Sequence, residues 1–259
     1  MTDKDINFAR QKRKSSEARS SLMVFPNDTN DFGTMYGGRL IELMDMVGGI
    51  CARRYTGTKA VTASIEDMQF YKPINKGDII EITSHVIWTG TKSLIVKTKV
   101  TKEEYTEEKT VCSRAYFCFV AIDKKGSPVV VPELIVESLN DKKNYSIGQE
   151  IRKRQKLEDL ILTYKDFPKK GIDFKDVLGI IQEPLVFKDL ILKMSESQII
   201  KNCEAIIAID ARGFIFGSAI SLQASKPMVV ARKPGKLPGD IIKQNYNLEY
   251  GESSLSLQK

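Results

Sequence analysis

The chain has 259 residues, 42% of them hydrophobic and 28% charged, with 17 glycines and 9 prolines; this balance excludes fibrous and disordered classes and leaves room for one large domain or two modest ones. No apolar run approaches the ~20 residues that span a bilayer, and Met1–Ser21 holds no signal-peptide core, so a cytoplasmic rather than a membrane or secreted protein is expected. The formal charge of +7 sits mostly in residues 1–156, which carry 26 Lys and Arg against 20 Asp and Glu, whereas 157–259 carry 14 against 13.

In chain order, residues 1–20 read as a polar basic arm. Its Arg10, Lys12, Arg13, Lys14 and Arg19 could draw nucleic acid, an anionic membrane surface or a polyphosphate; a solvated, mobile arm is the plainer reading. Ser21–Pro26 predicts a short strand, and Asn27–Gly33 a loop rich in turn formers. Gly37-Gly38 opens a helix running from Arg39 to about Arg54, with Leu40, Leu43, Met44, Val47 and Cys51 at helical spacing. Strands are predicted at Ala60–Ile65, Met68–Tyr71, Asp78–Trp88, Ser93–Thr101 and Lys109–Ile122, separated by turn signals such as Asn75–Asp78 and Asp123–Gly126. One buried helix followed by antiparallel strands is an α+β plan.

Leu139–Lys156 is charged and helix-capable, and the pattern changes after it. Leu157–Tyr164 predicts an amphipathic helix broken by Asp166-Phe167-Pro168, and Phe187–Ser195 a further helix. Ala205–Ile209, Gly213–Ala224 and Met228–Ala231 predict a β-α-β unit, the start of a parallel sheet. The expected organisation is therefore an arm at 1–20, one domain at 21–156 and a second at 157–259.

Four cysteines, Cys51, Cys112, Cys118 and Cys203, show no CxxC spacing and are joined by a single histidine, His85. They read as buried free thiols, and no metal site is expected. A Ser-His-Asp triad would rest wholly on His85, which lies in a strand-like stretch without a nucleophile elbow. The stretch able to carry chemistry runs instead from Asn27 to Asp45. Unpaired N–H groups at the helix start can stabilise an oxyanion where Gly37 and Gly38 let a carbonyl approach. Asp45, about two turns on, is a carboxylate in an apolar helix, able to serve as general base or nucleophile; a packing Gly-Gly and a hydrogen-bonded Asp satisfy the same pattern.

These residues resemble the hotdog-fold acyl-CoA thioesterases. The likeness covers about 21–154 and rests on Met23–Asn30, Gly33–Gly38, Met44-Asp45, Val61–Ser64, Pro73-Ile74 with Gly77-Asp78, Gly90–Ser93 and Phe119–Asp123. It implies a long central helix wrapped by an antiparallel sheet, pairing into dimers and commonly into a trimer of dimers. By resemblance Asp45 activates water or attacks the thioester carbonyl, Asn30 orients the reacting groups, and the Gly37-Gly38 backbone holds the oxyanion. Ser64 falls in the active-site strand, and Gly90 and Ser93 in a segment near the coenzyme A portion. The substrate implied is acyl-CoA, and no cofactor, nucleic acid or membrane partner is expected.

The second domain resembles adenine phosphoribosyltransferase over about 157–259. The likeness is carried by Asp166–Pro168, Gly171-Ile172, Phe174–Asp176, Ala211–Phe214, Arg232–Gly239 and Tyr246–Gly251. It implies that Arg212 contacts pyrophosphate, that Arg232 and Lys236 lie in a basic turn able to meet phosphate, that Lys175 lies in an adenine-binding hood, and that Glu249 and Tyr250 belong to an active-site flap. The family's phosphate-cradling Ala-Thr-Gly-Gly-Thr loop does not occur in these residues, so an incomplete α/β sheet, apolar strands left uncovered and no transferase activity are expected; magnesium would belong only to a complete transferase. Two alternatives accompany the thioesterase reading: purine salvage in a full-length or complemented transferase, and a non-catalytic acyl-CoA sensor.

Overall fold

The computed structural model describes residues 11–103, 109–248 and 251–259, and its chain divides into two compact units, Met1–Arg152 and Lys153–Lys259. In the first unit the strands are β1 (Lys12–Arg13), β2 (Glu17–Met23), β3 (Lys59–Phe70), β4 (Ile79–Thr89), β5 (Ser93–Glu103), β6 (Lys109–Ile122) and β7 (Glu133–Leu134). The helices are α1 (Gly37–Thr56) and α2 (Leu139–Asp159), the latter running across the division between the units. Five strands form one antiparallel sheet in the order β2-β4-β5-β6-β3. This is the expected hotdog: an antiparallel sheet around a long helix.

The alternation of side chains along the strands builds two cores. On one face Ile80, Ile82, Val86, Leu94, Val96, Phe117 and Phe119 meet the buried stripe of α1, made of Leu40, Leu43, Met44, Val47, Cys51 and Tyr55. Burying each large apolar side chain contributes about 1.5–3 kcal/mol. Gly48 lets α1 approach the Phe119 ring, and the Ser84–Thr98 hydroxyl pair, 2.8 Å apart, satisfies the polar groups beneath it. On the other face Ile87, Ile95, Tyr116 and Cys118 pack against Ile151 and Ile147 of α2. There Gly148 is required, because a Cβ would stand 2.4 Å from the Trp88 Cβ.

The arm predicted at 1–20 is corrected for the residues described. β2 is an edge strand paired with β4 through Glu17↔His85 to Met23↔Ile79, and Ala18 is buried. β1 pairs with β7, Lys12 and Lys14 face Glu133 and Glu137, Arg19 bridges Glu17 and Glu81, and Arg13 donates to the Tyr55 carbonyl. The described part of the basic cluster thus has acidic and carbonyl partners, while Lys12, Lys14 and Arg19 stay more than half exposed. Arg10 lies outside the described residues. The two strand segments predicted at 60–71 are one strand, β3, with bulges between Thr62 and Ser64 and between Glu66 and Gln69.

In the second unit the helix predicted at Leu157–Tyr164 is present only at Leu157–Asp159, as the last residues of α2. α2 ends at Asp159, and β8 (Leu162–Tyr164), exposed at all three residues, pairs antiparallel with β9 (Phe174–Asp176); so short and exposed a segment has no buried stripe to hold it as a helix. Then follow α3 (Leu178–Ile181), α4 (Pro184–Ser195), α5 (Gln198–Asn202), β10 (Ile206–Ile209), α6 (Arg212–Ala224), β11 (Met228–Ala231), β12 (Ile241–Leu248) and β13 (Gly251–Gln258). β10 and β11 form a parallel pair, the incomplete transferase-type sheet, and β12 and β13 an antiparallel hairpin. Ile206 and Ala208 are buried, whereas Ile207 and Ile209 on the opposite face are more than half exposed.

Candidate active site

The loop before α1 folds on its own polar groups. Asn30 Oδ1 accepts from Phe32 N at 3.0 Å, Thr34 N at 3.2 Å and Thr34 Oγ1 at 3.2 Å. Backbone bonds from Asn30 N to Thr34 O, Gly33 N to Asn30 O and Met35 N to Ile74 O close the loop. With its oxygen committed to the loop, Asn30 keeps its amide N–H groups as its remaining side-chain donors. α1 then begins with Tyr36 at its N-cap and no capping side chain, so no side chain accepts from its first turn. Gly37 lies against Phe70, and a Cβ on Gly38 would come within 3.1 Å of the Tyr36 ring. A pocket of about 370 Å³ opens here, lined by Thr34, Met35, Gly37, Leu40, Phe70, Lys72 and Ile74 among others.

Asp45 is half-buried on α1, and its Oδ1 accepts from Thr62 Oγ1 of β3 at 2.6 Å. It stands eight residues beyond Gly37, ~12 Å along the helix at 1.5 Å per residue. One chain therefore holds two separated clusters: Asn30 with Gly37 and Gly38, and Asp45 with Thr62.

The bulge in β3 decides which hydroxyl reaches Asp45. Thr62 pairs with Phe119, whose side chain faces α1, while Ser64 pairs with Cys118, which faces α2. The inserted residue turns Ser64 away to the outer face, where its hydroxyl meets Glu66 Oε1 at 2.8 Å. The resemblance points to Ser64 within Val61–Ser64; a regular strand would put Thr62 and Ser64 on one face, and the bulge leaves only Thr62 at Asp45. Gly90 and Ser93 form the turn between β4 and β5, Gly90 N donating to Ser93 O at 2.8 Å. The Asn30 loop adjoins the other end of β4, through Val24 N to Asp78 O and the Thr34↔Asn75 bridge. The eleven residues of β4 put roughly 35 Å between these two ends, so the fold of one chain does not bring Gly90 and Ser93 to Asn30.

His85 sits in β4, where burial foremost, and then the charge of Lys97, hold its pKa below the usual histidine range. Among the described residues no group of three His, Cys, Asp or Glu could hold a metal, and no helix is long and apolar enough to cross a membrane.

In the second unit, Arg212 opens α6, stacks 4.8 Å over the Phe174 ring and donates to Lys175 O at 3.4 Å. Lys175 Nζ donates to Thr163 at 2.7 Å. Arg232 Nε donates to the nearly buried Asp210 at 3.3 Å and its Nη1 to Lys236 O at 3.3 Å, while the Lys236 side chain is exposed. Glu249 and Tyr250 lie outside the described residues.

Residues 32–109 match the family model described as the thioesterase superfamily. An uncharacterized acyl-CoA thioester hydrolase of Bacillus subtilis, YkhA, is 38% identical over 126 residues, 48% of this chain and 73% of that protein. Among solved structures, an Asn-to-Ala variant of a Staphylococcus aureus acyl-CoA hydrolase in complex with coenzyme A matches with a TM-score of 0.55 and 31% identity, covering 58% of this chain and 93% of that one. A hexameric acyl-CoA thioesterase matches at 0.53 and 28%, covering 56% and 97%. Structures of the S. aureus enzyme also carry Asp-to-Ala and Thr-to-Ala variants; its three substituted positions are 15 and 17 residues apart, the separations of Asn30, Asp45 and Thr62 here. A separate region is similar to the adenine phosphoribosyltransferase of Prochlorococcus marinus, 78% identical over 104 residues, 40% of this chain. The chain spans 61% of the length of that relative. With its hotdog sheet, its helix-borne Asp45 and its coverage of the B. subtilis relative, the chain belongs to the thioesterase superfamily.

Proposed function

We propose that residues 21–156 form an acyl-CoA thioesterase that hydrolyses acyl-CoA to a free fatty acid and coenzyme A. The observation that carries this reading is the 2.6 Å bond from Thr62 to Asp45, made by residues at the same separations as the positions substituted in the S. aureus enzyme. Asp45 acts as general base on water or as nucleophile, and Thr62 holds one of its oxygens so that the other faces the thioester. The Asn30 amide and the first-turn N–H groups at Gly37 and Gly38 receive the developing oxyanion; losing one such donor costs ~100–1000-fold in rate.

The separation of the two clusters in one chain favours a site completed by a second copy, and one of the similar acyl-CoA thioesterases is a hexamer. The edge strand β3 and the half-exposed Met46 and Ile50 of α1 provide a surface for pairing. A trimer of such dimers would bring the Gly90–Ser93 turn of another copy to the coenzyme portion, which a contact within one chain does not do. The reaction calls for no cofactor, and its substrate together with four free cysteines favours a cytoplasmic setting.

Residues 157–259 are similar to a transferase but hold neither a phosphate-cradling Gly-Gly loop nor, among the described residues, more than two parallel strands. By themselves they are read as inactive in phosphoribosyl transfer, with magnesium relevant only to a complete transferase. Their 78% identity to the P. marinus enzyme favours the second reading, purine salvage alongside the further residues that such relatives have. Adenine-dependent consumption of phosphoribosyl pyrophosphate tests it.

The deciding experiment for the first reading is thiol release from acyl-CoAs of increasing chain length by the wild-type chain and by Asp45→Asn. Turnover lost in the variant while acyl-CoA affinity holds within about threefold supports hydrolysis. Binding without turnover in both proteins supports the sensor reading instead.

A further inference from the structure

Arg39 is the third residue of α1, where a cation meets the positive end of the helix dipole and is out of place by itself. Two carboxylates answer it. Its Nε donates to Asp28 Oδ1 at 3.0 Å and its Nη1 to Glu42 Oε2 at 2.9 Å. The two partners differ in what they hold. Glu42 is exposed on the next turn of the same helix, so that pair ties α1 only to itself. Asp28 is the last residue of a short 3₁₀ turn, Pro26–Asp28, in the loop that carries Asn30, and its side chain is only 14% exposed. Its other oxygen accepts from Phe25 N at 3.1 Å, and its carbonyl accepts from Tyr36 N at 2.8 Å. Asp28 thus closes both ends of the loop whose interior is organised by Asn30 Oδ1, and Arg39 bolts that loop to the first turn of α1.

We infer that Asp28 and Arg39 are a positioning pair for the proposed hydrolysis, locking the loop that carries the Asn30 amide onto the first turn of α1. This rests on the thioesterase reading. Neither residue touches the reacting atoms; each acts through Asn30. Hydrogen bonds from Phe25 and Arg39 also hold the Asp28 carboxyl below the usual carboxylate range, so the pair stays charged throughout the neutral range.

The test compares Arg39→Ala, Arg39→Lys and Glu42→Ala with wild type, each first confirmed to melt and assemble as wild type does. Arg39→Ala is expected to lower kcat about 10–100-fold, the cost of a small misplacement of reacting groups, with KM changed less than about threefold. Arg39→Lys, which keeps the charge but loses the guanidinium fork, should fall between. Glu42→Ala should stay within about twofold of wild type, since its carboxylate does not reach the loop. In an Asn30→Ala background Arg39→Ala should cost less than about twofold more, because the effect passes through Asn30. Amide exchange at Phe32 and Thr34 should quicken about tenfold in Arg39→Ala. Unchanged exchange at those amides, a loss that multiplies with Asn30→Ala, or a rise confined to KM would overturn the inference. If the wild-type chain releases no thiol from any acyl-CoA, the thioesterase reading fails on its own, and the exchange measurement still decides whether the pair holds the loop.

Discussion

Replacing Thr62 by Val deletes the hydroxyl that donates to Asp45 Oδ1 at 2.6 Å while nearly preserving side-chain shape and strand preference. A hydrogen bond to an ionised carboxylate contributes about 1.5–3 kcal/mol net. Thr62 is exposed in the single chain, so water can replace part of the lost donor and the lower end of that range applies. At ~1.4 kcal/mol per factor of ten, kcat for thioester hydrolysis should fall about tenfold, with KM little changed because the bond orients the reacting carboxylate rather than the substrate. Thr62→Ser, which restores the hydroxyl without the methyl, should recover most of the rate. The assay is release of free thiol from acetyl- to palmitoyl-CoA at saturating substrate. A Val variant within about twofold of wild type, or equal losses for Val and Ser, would refute the assignment of Thr62 to Asp45 orientation.

Two further outcomes follow from the packing. Because burial holds the folded pKa of His85 below its unfolded value of about 6.5, the unfolded chain takes up a proton that the folded one refuses. Stability should therefore fall as pH drops below about 6.5, and His85→Gln should flatten that slope in melting temperatures measured at pH 7.5 and 5.5; the charges of Lys97 and Lys99 disfavour the imidazolium, and those of Glu17 and Asp141 favour it. Gly148→Ala places a Cβ 2.4 Å from the Trp88 Cβ, and such overpacking should cost about 1–3 kcal/mol, read as a lowered urea midpoint; an unchanged midpoint would mean that α2 shifts freely on the sheet.

Much of the first unit was readable along the chain because each core element repeats its pattern. Leu40, Leu43, Met44, Val47 and Cys51 recur at the period of a helix, and β4, β5 and β6 are long enough, and bounded by clear enough turns, to declare themselves. β2 did so only at its end, where the strand expected at Ser21–Pro26 overlaps it; the rest is an edge strand with a single fully buried residue, Ala18, and its polar side chains resemble those of a solvated arm. Leu162–Tyr164 reads along the chain as the end of a helix, because so short a strand has no period of its own; its pairing with Phe174–Asp176 decides its state. Of the candidate site, local chemistry points to Gly37, Gly38 and Asp45, and the family resemblance adds Asn30. Neither singles out Thr62, because one inserted residue in β3 reverses which side chains face α1, and a bulge leaves no mark in residue spacing.

The sequence by itself determined the helix that bears Asp45, the strands that enclose it and the two family likenesses joined near residue 156, since these follow from local periodicity and from motifs contiguous in the chain. Only the tertiary structure decided which hydroxyl meets Asp45, that Asp28 and Arg39 clamp the Asn30 loop, and that Lys12, Lys14 and Arg19 pair with acids. Those outcomes depend on strand register and on contacts between residues from 11 to 121 positions apart, such as Arg39 with Asp28 and Lys12 with Glu133, whose partners are set by packing rather than by neighbours in the chain.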